Sequence, residues 1–109
     1  MATTYKVLGQ VSTASNTTAT LYTVPSTSSA VISTIAVCNQ TTASTTFFLA
    51  VQPAGATLAP KHYINYNTAL PANDTMTISI GITLAPTDVI SVRAASTSVS
   101  FLAFGSEVY

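Results

Sequence analysis

Residues that favour turns recur at short intervals along this chain, and that punctuation limits what it can fold into. Ser15-Asn16, Pro25-Ser26, Asn39-Gln40, Pro53-Ala54-Gly55, Pro60, Pro71-Ala72-Asn73-Asp74, Pro86-Thr87-Asp88 and Ser96-Thr97 all carry reversal chemistry. No window between them shows the sustained apolar spacing of three and four residues that an amphipathic helix needs. The good helix formers Glu, Lys, Gln and Arg are nearly missing, while Thr, Val, Ile, Tyr and Phe dominate. The segments between the turns are therefore strands.

Eight such segments are legible: Tyr5–Val11, Thr20–Val24, Ala30–Asn39, Thr46–Gln52, Tyr63–Asn67, Thr75–Ile80, Val89–Ala94 and Val99–Phe104. In Thr75-Met76-Thr77-Ile78-Ser79-Ile80 the apolar residues and the hydroxyls alternate. Period two puts one face in a core and leaves the other wet. Ala30–Asn39 is apolar on both faces, which suits a central strand. About eight short strands with turns between them predict an all-β fold, an antiparallel β-sandwich. A jelly roll and an immunoglobulin-like sandwich both fit this count, and the strand order stays open. At 109 residues the chain makes a single domain spanning positions 1–109. Its short terminal segments are expected to behave as arms outside the core.

Charge decides which partners are expected. Only 6% of residues are charged and the formal net charge is zero, against roughly 25% charged in an ordinary domain. Lys6, Lys61 and Arg93 are too few to displace nucleic-acid counterions, so no nucleic acid is expected. No basic amphipathic face exists for a membrane surface, and no apolar run approaches the roughly 18 residues of a membrane span. Disorder is excluded by the 48% of hydrophobic residues. A neutral chain has little colloidal protection, which points to a surface that is covered in the working state. The N-terminus lacks the basic and apolar regions of a secretion signal, so synthesis in a cytoplasm is expected. Cys38, the single cysteine, cannot form an intrachain disulfide and is expected inside as a small hydrophobe.

The residues give no reason to expect catalysis, a cofactor or a metal. There is no phosphate-binding glycine loop, no Cys or His ligand set and no nucleophile turn. The one histidine, His62, stands between Lys61 and Tyr63 at a strand entry, where a surface or interface role is expected. Asp74 and Asp88 lie in turns, where a carboxylate accepts bonds from nearby amides. The remaining distinctive side chains are aromatic. Tyr63 and Tyr66 are three apart, so on a regular strand one faces the core and the other solvent. The same choice arises within the pairs Phe47 and Phe48, and Phe101 and Phe104. Exposed aromatic residues are common interface anchors. Tyr5, Phe48, Lys61, His62, Tyr63, Phe104 and Tyr109 stand as the candidate interface residues.

The stretches Leu21-Tyr22-Thr23-Val24-Pro25, Ala30 through Asn39, Pro71-Ala72-Asn73-Asp74-Thr75, Gly81-Ile82-Thr83-Leu84 and Phe101 through Glu107 resemble small virion structural proteins of tailed bacteriophages, cyanophages in particular. These are strand-and-turn patterns, not catalytic signatures. The resemblance implies a β-sandwich on the outer surface of a virion, made in the host bacterial cytoplasm. In the capsid decoration (cement) role it implies a homotrimer that bridges subunits of the major capsid protein. The alternative within the same resemblance is a tail, baseplate or fibre module that contacts other tail proteins or a receptor.

Overall fold

The computed structural model describes residues 2–109. Among them run nine strands: β1 (Thr3–Ser12), β2 (Ala19–Thr23), β3 (Ser29–Asn39), β4 (Thr45–Gln52), β5 (Tyr63–Leu70), β6 (Thr75–Ile78), β7 (Ile82–Leu84), β8 (Val89–Ala94) and β9 (Val99–Val108). Two short 3-10 turns, Pro53–Gly55 and Pro60–His62, lie between β4 and β5.

Every pairing is antiparallel, and the pairs are nested. β1 pairs with β9, β2 with β8, β3 with β6 and β7, and β4 with β5. Two more pairings, β3 with β9 and β4 with β8, join these hairpins into sheets. One sheet runs β1-β9-β3-β6 with β7 also on β3, and the other runs β2-β8-β4-β5. Nested antiparallel pairs distributed over two sheets make a jelly roll. The strand order thus decides the choice that sequence left open, against the immunoglobulin-like alternative.

The core lies between the sheets and follows the alternation of each strand. β3 contributes Ile35 and Val37, β4 Phe47 and Leu49, β8 Ile90 and Val92, and β9 Val99 and Phe101, all buried. Phe47 and Phe101 meet edge to face across the two sheets, with centroids 6.3 Å apart. That geometry suits the ring quadrupoles and adds about 1 kcal/mol beyond area burial. Asn39 closes one end. Its Nδ2 donates to the carbonyls of Ala43, Leu70 and Pro71, and its Oδ1 accepts from the Thr41 amide and hydroxyl.

Four expectations change. Thr75–Ile80 is not one strand: it stops at Ile78, Ile80 is 60% exposed, and Gly81 turns the chain at φ +64°. Ile82–Leu84 then resumes pairing with Ala30–Ile32, so a single strand position is filled in two pieces and the count rises by one. The chain ends are not arms. Thr3 pairs with Val108, and the Tyr109 amide donates to the Ala2 carbonyl at 2.8 Å. Cys38 is only half-buried. It alternates with buried Val37 and Asn39 and therefore faces outward. The parity argument for Tyr63 and Tyr66 also fails, for a reason that shapes the site below.

Candidate functional site

The outer faces of the two sheets differ in chemistry. On the β2-β8-β4-β5 sheet, Phe48 of β4 is the register partner of Arg93 of β8. Both flank buried residues, Phe47 and Leu49 on one strand and Val92 and Ala94 on the other, so strand alternation sends both outward. The Arg93 guanidinium lies over the Phe48 ring, 5.1 Å from its centroid. Its Nε is shielded from solvent with no hydrogen-bond partner among the described residues.

β5 brings two tyrosines to the same place. Between Phe47 and Ala50 β4 advances three residues, while its partner β5 advances five, from Thr68 to Tyr63. The extra residues sit in irregularities on an edge strand, where bulges concentrate. One irregularity falls between Tyr63 and Asn65, which flips the parity, so Tyr63 and Tyr66 share the outer face. Their centroids are 4.9 Å apart, and both rings meet Phe48 edge to face, at 5.9 Å for Tyr63 and 4.9 Å for Tyr66. Tyr66 remains 68% exposed. The result is a raised aromatic cluster with an arginine at its side.

The β1-β9-β3 sheet presents a different outer face. Tyr5, Lys6 and Val7 of β1, Phe104 of β9 and Val31 of β3 line a shallow depression together with Ser33, Gly105 and Ser106. Tyr5 is 83% exposed. The Lys6 ammonium turns to the Glu107 carboxylate, with Nζ 2.8 Å from Oε1. Glu107 is buried and also accepts from the Tyr22 hydroxyl at 2.5 Å, which ties the two sheets together. These bonds from Lys6 and Tyr22 hold the Glu107 carboxyl below its ordinary range. The same carboxylate raises the Lys6 ammonium, and burial followed by the bond to Glu107 pushes the Tyr22 phenol up.

The candidate interface residues fall into three groups. Phe48 and Tyr63 belong to the aromatic cluster, and exposed Lys61 lies two positions before Tyr63. Tyr5 and Phe104 share the other outer face, and Tyr109 stands at its end, its hydroxyl 2.7 Å from the Thr4 hydroxyl. His62 differs from the surface placement expected of it. It is buried, and its Nδ1 accepts the Ala59 amide at 3.0 Å, so it shapes the turn into β5. Asp88 accepts from the Ala54 and Ala85 amides and Asp74 from the Thr75 amide, the turn roles read for both. Arg93 and Val31 had not been picked out. Arg93 was legible, since a charged residue flanked by Val92 and Ala94 must face away from a core. No group of three or more His, Cys, Asp or Glu side chains comes together among the described residues.

No family model matches the chain, and neither does any curated protein. Solved structures do. A chain in the structure of infectious bursal disease virus, Gx strain, matches over 97% of this chain with a TM-score of 0.52 and 15% identity. A chain in the structure of the Gt strain matches over 96% with a TM-score of 0.50 and 12% identity. The likeness is one of fold. This chain spans 30% and 31% of the lengths of those chains.

Proposed function

We propose that this chain is a structural protein of a virion, in the capsid decoration role, and that it acts by contact instead of catalysis. The observation that carries the reading is a jelly roll alike over nearly its whole length to chains from a virus structure. The tailed-phage resemblance of the sequence points the same way. In this role the protein is made in the host cytoplasm and binds the outer shell, where it bridges neighbouring subunits of the major capsid protein.

The aromatic cluster suits such a contact. Tyr and Arg are enriched among the residues that dominate binding energy, and the cluster holds Tyr63, Tyr66 and Arg93 on strands instead of loops. Docking against a shell would desolvate Arg93 and supply an acceptor for its Nε. Each bound copy then favours the closed shell by mass action, because it binds the assembled lattice and not its separated parts.

The test is co-sedimentation of purified protein with shells stripped of it. Wild-type protein is expected to pellet with the shells and Tyr66→Ala to lose binding by roughly tenfold or more, the loss typical of an anchor residue. Failure of the wild-type protein to pellet would sink the decoration reading. Equal binding by Tyr66→Ala would move the contact off this cluster.

A further inference from the structure

Among the described residues, the outer face of β1-β9-β3 carries no side chain with an unpaired charge. The one cation among the described residues that lines its depression, Lys6, is engaged by Glu107. Five of the seven large exposed hydrophobic residues belong to this sheet or its connections: Tyr5, Val7, Val31, Ile80 and Tyr109. The opposite face carries Arg93, and no described residue forms an ion pair with it. We infer that the β1-β9-β3 face packs against the same face of a second copy of this chain, forming a twofold dimer.

Three observations select this occupant. The first is charge. A twofold contact sets each patch against itself, so any charged residue near the axis meets its own copy. Like charges brought together oppose association, and the one cation lining this depression among the described residues, Lys6, comes already paired with Glu107. On the other sheet the same operation would set Arg93 against Arg93, so that face is left for a different partner.

The second is area. β1 and β9 have ten residues each and β3 eleven. At about 3.3 Å per residue and 4.8 Å between strands, these strands with the β6 and β7 edge cover about 600 Å². A standard interface takes about 600 to 1,000 Å² from each partner, so the flat area alone reaches the lower bound before side-chain relief is added. The third is shape. A closed ring of three needs two differently placed patches on each copy, whereas one sheet face supplies a single patch and a single partner. The inference is independent of the virion reading, because purified protein alone tests it.

Sedimentation velocity of the full chain over a dilution series gives the test, with Val31→Lys and Ala69→Lys as variants. Val31 is 40% exposed and Ala69 is an exposed residue of β5 in the other sheet, so both variants should fold. Wild-type and Ala69→Lys proteins are expected to dimerise. Val31→Lys should weaken the dimer by roughly a hundredfold or more, since it sets two new ammonium groups in one apolar contact. A melting temperature that rises with concentration for wild type, and not for Val31→Lys, gives a second readout. A wild-type monomer at every concentration, a trimer, or a dimer indifferent to Val31→Lys would each overturn the inference.

Discussion

Gly105→Ala is expected to destabilise the domain strongly, although replacing glycine in a strand commonly has the opposite effect. Removing a glycine lowers the entropy of the unfolded chain and stabilises by about 0.4–1 kcal/mol where the native backbone tolerates a side chain. At Gly105 it does not. A Cβ there would lie 2.0 Å from the Val31 carbonyl oxygen and 3.1 Å from the Ile32 Cα. Both are backbone atoms of β3, so no side chain can swing aside. Relieving the overlap requires β9 to move away from β3 by about 1 Å, which breaks ladder bonds worth about 1 kcal/mol each. Overpacking adds about 1–3 kcal/mol. The net expectation is a loss of about 3 kcal/mol. At about 4 °C per kcal/mol for a domain of this size, the melting temperature falls by about 12 °C. Gly81→Ala supplies the comparison. It meets no atom within 4 Å, and its φ of +64° leaves only left-handed strain of about 1 kcal/mol. Thermal unfolding followed by circular dichroism measures both. A Gly105→Ala melting temperature at or above that of wild type would refute the reasoning, as would a larger loss in Gly81→Ala.

Asn39→Ala should cost about 3 kcal/mol in urea unfolding, because it removes a buried hub that joins the Ala43, Leu70 and Pro71 carbonyls; a loss under about 0.5 kcal/mol would count against that role. The Lys6, Tyr22 and Glu107 cluster should make stability level near neutral pH and lower at both extremes. Glu107 has a depressed folded pKa, so its contribution is present above the unfolded value of about 4.3 and is lost as pH falls through the folded one. Lys6 and Tyr22 have raised folded values, so theirs is present below about 10 and lost as pH rises further. Urea midpoints against pH should therefore show an acid limb that shrinks in Glu107→Gln; an unchanged limb would assign it to other groups. Deleting Val108 and Tyr109 should lower the melting temperature by several degrees, since Val108 pairs with both Thr3 and Ser29; a domain indifferent to the deletion would restore the reading of the ends as arms.

Much of the fold was legible because turn chemistry and period-two alternation act locally. Val89–Ala94 is bounded in the structure as it is in the sequence, and Ala30–Asn39 is central, flanked by β9 on one side and β6 and β7 on the other. What escaped depended on contacts between distant segments. β7 is three residues long and becomes a strand only because β3 offers it an edge. The chain ends looked unattached because their partners are each other, 105 residues apart at Thr4 and Tyr109. The aromatic cluster was half visible. Phe48 and Tyr63 were candidates, but the bulge that turns Tyr66 to the same face is a mismatch between β4 and β5 that neither strand reveals alone. Glu107 hid its role for the same reason, since Lys6 and Tyr22 reach it from two other strands.

The decoration role is tested most directly by gold labelling of purified virions with an antibody to this protein. Label spread over the heads is the expected result. Label confined to the tail tip would contradict decoration in favour of a tail or baseplate module, and unlabelled particles would contradict the virion role itself.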